Sequence, residues 1–311
     1  MKKFATIALT LAMAAASACA SATTVGICQL VQHEALDAAT QGFKDALTEA
    51  LGNKVQFVEQ NAANDIPTCA TIVNGFVSDG VDLILANATP ALQAAVAATD
   101  SIPILGTAVT EYGVALDIKD FNGTVGGNVS GTSDLAPLDQ QAAMILELFP
   151  DAKKVGILYC SAEPNSVYQS DVVKAELEKS GVTVSVYTFA DSNDVAAVTA
   201  TACDENDVLY IPTDNTAASC TEAINNVAEP AGVPIIAGEE GICAGCGVAT
   251  LSINYYDLGV TTGKMAAKIL TGEANISEMP IEYFPDPVKK YNPAICEALG
   301  ITVPEDYVAI G

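Results

Sequence analysis

"TVGICQL" at residues 24–30 and "KVGILYC" at residues 154–160 are the same kind of segment, an apolar run with glycine in third place. Three more pairs follow in the same order. "VQFVEQNAAND" (55–65) answers to "VSVYTFADSND" (184–194), "DLILANATPAL" (82–92) to "DVLYIPTDNTA" (207–217), and "IPILGTAVTEYG" (102–113) to "VPIIAGEEGICA" (233–244). The separation stays near 130 residues, so the chain carries one plan twice. Each run is short and rich in β-branched residues, as a strand of a parallel sheet is when both its faces are buried. Helical patterns lie between the runs. "EALDAATQGFKDALTEAL" places Leu36, Ala39, Phe43, Leu47 and Leu51 at three- and four-residue spacing, and "PLDQQAAMILELF" and "VYQSDVVKAELEKSG" behave alike.

The order β-α-β-α predicts an open parallel α/β sheet with right-handed crossovers in each copy. The fold class is therefore α/β, two Rossmann-like lobes joined by a hinge, with a cleft between them. "GGNVSGTSDL" (126–135) reads as the first crossover and "SINYYDLG" (252–259) as another. That assigns 24–133 plus 256–283 to the first lobe and 134–255 plus 284–311 to the second. The tail "YNPAICEALGITVPEDYVAIG" is expected to pack on the second lobe.

Open α/β sheets bind ligands beyond the carboxyl ends of their strands. Those ends are polar here: Gln29, Asn87 to Pro90 and Thr107 to Tyr112 in the first copy, and Glu163 to Ser166, Thr213 to Thr216 and Glu239–Glu240 in the second. "LYIPTDNTAAS" (209–219) passes from apolar to polar without transition, and a plain helix cap would need only one of its acid, amide and hydroxyl groups. Capping and ligand binding both remain open for Thr213, Asp214 and Asn215. His33 is open in the same way, as a helix-start residue or a ligand contact.

The formal charge is −25, and all 13 basic residues are Lys. Without Arg there is no fork for guanine and no track for phosphates, which argues against nucleic acid. A ligand carboxylate would have to meet backbone N–H groups, hydroxyls, amides or Lys. The acidic field favours a cationic or zwitterionic ligand.

Residues 1–20 read as an export signal: Lys2 and Lys3, an apolar stretch from Phe4 to Ala16, then small residues. Ala16-Ser17-Ala18-Cys19 also reads as a lipoprotein box, with Ala16 where Leu is usual; lipidation of Cys19 stays open and is the one membrane attachment the sequence offers. Eight more cysteines follow, open to disulfides or to burial as thiols. "CAGC" (243–246) stands without a second pair, so a local disulfide or tight turn is expected rather than a metal site. No metal or cofactor is expected.

"VGICQLVQHEALDAATQGFKDAL", "NATPA", "GGNVSGTSD", "EPNS", "IPTDN" and "NYYDLG" together resemble the TrpX-like substrate-binding proteins of ABC transporters, in order and over nearly the whole chain. The resemblance implies a type I periplasmic-binding-protein fold, an aromatic amino acid as ligand, an ABC permease as partner and an extracytoplasmic location. Carried over residue by residue, it implies a ligand shell of Gln29, Thr89, Ser133, Asp134, Glu163, Asn165, Ser166, Asp214 and Asn215. The sequence departs from the family at Thr110-Glu111-Tyr112, where Thr-Asp-Pro is usual, and at Asn254, where Asp is usual.

The residues agree with that class. Asp214 or Glu239 can take an ammonium group. The helix starts at "ATPA" and "GTSD" can take a carboxylate through free N–H groups and the helix dipole. Tyr112, Tyr255 and Tyr256 can stack on an aromatic side chain or simply pack. The protein is read as a monomer. Two rivals remain: a sensory module with the same binding chemistry, and a hydrolytic enzyme. Against an enzyme, there is no G-x-S-x-G elbow, no P-loop and only one His.

Overall fold

The computed structural model describes residues 22–284 and 286–310. The export signal and Cys19 lie outside the described residues.

The first sheet holds β1 (Thr23–Gln29), β2 (Val55–Asn61), β3 (Leu83–Asn87), β4 (Ile104–Val109) and β5 (Val129–Ser133). The second holds β6 (Lys154–Cys160), β7 (Thr183–Phe189), β8 (Val208–Ile211), β9 (Ile235–Ala237) and β10 (Ala249–Ser252). Three short strands follow: β11 (Glu282–Tyr283), β12 (Val288–Tyr291) and β13 (Val308–Ala309). The strand orders are β11-β5-β4-β3-β1-β2 and β13-β12-β10-β9-β8-β6-β7. Take away the three short strands and the two orders are the same, five apart in numbering. The duplication seen in the sequence is a duplication of topology.

All pairings are parallel except β10 with β12. Both faces of each sheet are covered, and the side chains of a strand alternate between two cores. In the first lobe Val25, Ile27, Leu83 and Leu85 pack with Phe43, Leu47 and Met265. Cys28, Ile84 and Ala86 face the other way, toward Ile72, Phe76 and Leu92. In the second lobe Ile157, Val208 and Tyr210 lie on one side, and Leu158, Leu209 and Ile211 on the other.

The chain passes between the sheets after Ser133, after Ser252 and between Tyr283 and Val288. The helix Tyr255–Leu270 returns to the first lobe and lies along the helix Glu34–Leu51. Glycine permits this contact: a Cβ on Gly259 would fall 2.0 Å from the Ala39 carbonyl oxygen. In the tail, β12 lies against β10 and Cys296 packs in the same core as Ile157 and Val208.

"CAGC" is neither a turn nor a bridge. It closes the helix Glu240–Cys246, and the eight described cysteines are free thiols, seven of them buried. Cys246 donates to the Ile242 carbonyl at 3.3 Å and Cys243 to that of Gly247 at 3.7 Å. Among the described residues no group of three or more His, Cys, Asp or Glu could hold a metal ion, and no helix is long and apolar enough to cross a membrane.

Candidate functional site

The carboxyl ends of both sets of strands meet at the seam between the lobes. In the second lobe they form one network. Glu163, which precedes the helix Pro164–Lys179, accepts from the Asn215 and Thr216 N–H groups at 3.0 and 2.8 Å. It also accepts from Asn215 Nδ2 at 2.7 Å and Thr216 Oγ1 at 2.8 Å. Asp214 caps the short helix Asn215–Ala218 through Ala217 N–H at 2.7 Å. Its other oxygen accepts from Cys160 N–H at 2.8 Å and Ser166 Oγ at 2.7 Å. Asn165 Nδ2 reaches the Thr213 carbonyl at 3.0 Å, while its Oδ1 is buried without a partner. Glu163, Asn165, Ser166, Asp214 and Asn215 are thus brought together. Burial, and next the nearby Glu163 carboxylate, push the Asp214 carboxyl well above its ordinary range.

Glu239 stands apart, capping the helix Glu240–Cys246 through the N–H groups of Gly241 and Ile242. Burial pushes it up to about 7. Gln29 faces inward in its own lobe, accepting from Thr40 Oγ1 at 2.7 Å and donating to Asp37 at 2.6 Å.

Ser133 and Asp134 lie at the first crossover. Ser133 Oγ donates to the Thr110 carbonyl at 2.7 Å. Asp134 Oδ2 accepts from Tyr255 at 2.9 Å, but its Oδ1 is buried with no partner. Burial raises its carboxyl to about 6, against the lowering effect of the Tyr255 hydroxyl and of the Thr110 side chain, which lies nearby without closing a hydrogen bond to Oδ1. Thr89 opens the helix Thr89–Ala98 and is buried. Before it, Ala88 sits at φ 91°, ψ 157°, a region that residues with a Cβ rarely enter. Of the three tyrosines, only Tyr255 faces the strand ends. Tyr112 is fully buried and donates to the Thr132 carbonyl, and Tyr256 is exposed and donates to Asp45.

Two contacts between the lobes were not foreseen. His33 Nε2 lies 3.2 Å from Asn215 Oδ1, and Asn64 Nδ2 donates to Thr216 Oγ1 at 3.0 Å. The signal for Asn64 was present in "NAAND", a polar run at the end of β2 like those at the other strand ends.

Buried polar atoms are nearly always hydrogen-bonded, so exceptions mark places of interest. Six buried side-chain atoms lack a partner among the described residues. Four of them, on His33, Asn87, Asp134 and Asn165, lie at strand ends or in the loops just beyond, in both lobes.

Residues 24–310 match a family described as ABC transporter substrate binding protein. The chain is 38% identical over 260 residues to a tyrosine-binding protein of Clostridioides difficile, covering 83% of this chain and 75% of that one. A solved domain from Streptococcus pneumonia in complex with L-Trp is 34% identical with a TM-score of 0.87, covering 92% of this chain and 97% of that one. The ligand-free, open structure of a substrate binding protein from Clostridium difficile is 38% identical with a TM-score of 0.70, covering 93% and 99%.

Proposed function

The chain belongs to the ABC transporter substrate binding protein family, and from that premise we propose that it captures an aromatic α-amino acid between its lobes for an importer, outside the cytoplasm. The family is one of binding proteins, not enzymes. The lobes here superpose better on the L-Trp complex than on the open structure, although the sequence is closer to the latter. That supports reading this arrangement as the closed one, reached by movement at the crossovers.

The observation that carries the reading is Asp134. The oxygens of Glu163, Asp214 and Glu239 are engaged by protein donors. Asp134 alone among these four buried acids keeps an oxygen with no partner. The ammonium group is therefore assigned to Asp134 rather than to Asp214 or Glu239, whose geometry is that of helix caps. A buried carboxylate gains most when a cation completes its hydrogen bonding. For the ligand carboxylate the helix Thr89–Ala98 offers the N–H groups of Thr89 and Ala91, which precede its first internal bond from Leu92 N–H to the Ala88 carbonyl. No Arg is required. Tyr255 stands beside this ammonium site, hydrogen-bonded to Asp134.

Calorimetry with L-tyrosine and L-tryptophan tests the reading. Asp134→Asn should weaken binding by about 1.5–3 kcal/mol, the worth of a hydrogen bond to a charged group, or about tenfold to hundredfold. Unchanged affinity in that variant would remove Asp134 from the site.

A further inference from the structure

The two hydrogen bonds across the seam, from His33 and Asn64, end on adjacent residues of one turn. Their partners, Asn215 and Thr216, lie 182 and 152 residues away along the chain, so only the approach of the lobes brings them together. Glu163 fixes the turn, taking both the N–H and the side chain of each partner residue. A carboxylate offers only acceptors, so Asn215 must present its NH2 to Glu163 and its Oδ1 to His33. His33 Nε2 must then carry the hydrogen. Its Nδ1 is buried without a partner, so the ring sits in the seam as a neutral single donor. Asn64 is held at φ 63° by the turn after β2, where its N–H reaches the Leu30 carbonyl at 2.8 Å.

We propose that His33 and Asn64 are positioning residues that latch the Asn215–Thr216 turn of the second lobe and lengthen the stay of the ligand held between the lobes. The proposal rests on the ligand reading given above. Neither side chain has to touch the ligand. Both bonds form after the ligand has arrived, so their loss acts on departure and leaves arrival unchanged.

Stopped-flow measurements with L-tyrosine and L-tryptophan read this directly. His33→Ala and Asn64→Gly should each raise the dissociation rate about three- to tenfold, the worth of one hydrogen bond, with association within about twofold. Asn64→Gly keeps the positive φ without strain, so the change is confined to the amide. His33→Gln places an amide N–H near the position of Nε2 and should restore slow release, which a general packing defect would not allow. Dissociation rates equal to wild type in both deletions would overturn the latch. A second measurement needs no bound ligand, because a disulfide traps the closed arrangement even where the free protein samples it only briefly. The double variant Asn64→Cys, Thr216→Cys, treated with diamide, should form a disulfide within one chain, mapped by mass spectrometry. If both new thiols label with maleimide but never join, the seam contact is refuted. If neither amino acid binds the wild type, the ligand reading fails and the crosslink alone decides the contact.

Discussion

In the first lobe the strands end in bent backbone. Ala88 after β3 has φ 91° and Ala108 in β4 has φ 50°, beside a break in register with β5. All six described non-glycine residues with positive φ lie in that lobe. In the second lobe the corresponding ends have ordinary backbone and hold three buried carboxylates, Glu163, Asp214 and Glu239, each accepting from backbone N–H groups. One topology has thus been finished in two ways. The first lobe aims main-chain groups by strain, and the second fixes its turns with internal carboxyl groups. A carboxylate near a binding cleft is therefore not a binding group until its oxygens have been accounted for.

The contrast predicts separable effects. The largest is on stability, in the second lobe. Glu163→Ala removes the acceptor of four donors on Asn215 and Thr216 and should cost about 3 kcal/mol, since buried donors left unpaired cost roughly 1–3 kcal/mol each and partial rehydration offsets some of that. Urea unfolding measures it; an unchanged midpoint would show that the bracket does not support the turn. Next comes Asp134→Asn, whose loss should appear in affinity, while ligand-free stability at neutral pH should hold or rise because a buried charge is removed. Its counterpart Asp214→Asn should do the reverse, moving the midpoint while changing affinity less than about threefold, because Asp214 faces protein donors. Tenfold weaker binding in Asp214→Asn would return the ammonium to the second lobe.

A smaller effect concerns pH. Burial raises the Asp134 carboxyl from 3.8 to about 6, so the neutral acid is favoured in the folded protein. Ligand-free stability from this group then falls as pH rises from about 4 to 6. Affinity for an ammonium group should rise over the upper part of that interval, by up to about tenfold per pH unit below 6. His33→Gln should keep this profile and Asp134→Asn should flatten it. The reverse result would make His33 the titrating group. The smallest effect tests the strain. Ala88→Gly should stabilise the first lobe by about 1 kcal/mol, relief of strain exceeding the entropic cost of glycine. Lower stability would mean that the Ala88 conformation carries no strain.

How much of this was legible in the sequence follows from the distance over which each feature is determined. Strands buried on both faces announce themselves as continuous apolar runs, and the repeated order of runs gave the lobes and the direction of the cleft. "TDNT" and "EPNS" could be placed at strand ends for the same reason. The duties of their acids could not, because a cap and a ligand contact use the same residue types. Asp214 and Glu239 had the right charge and position, and only their hydrogen bonds show that they are occupied. "CAGC" was expected as a disulfide or a tight turn, but it ends a helix and its thiols are directed to backbone carbonyls. The pairing of His33 with Asn215 depends on how two separately formed sheets dock, and no local pattern encodes that.

The close helix pair at Gly259 and Ala39 bears on the order in which the protein can assemble. The helix Tyr255–Leu270 covers β4 and β5 as well as the helix Glu34–Leu51, and β11 extends the edge at β5. These pieces are the last of the first lobe to be synthesised, after every long strand of the second. A growing chain therefore has β4 and β5 incompletely covered until the helix ending at Leu270 has been made, and the edge at β5 unpaired until Tyr283. The second lobe waits similarly for β12 and β13. Neither half completes its core before the segments that follow Ser252 have been made. Fragments ending near residue 250 should accordingly lack a sharp unfolding transition.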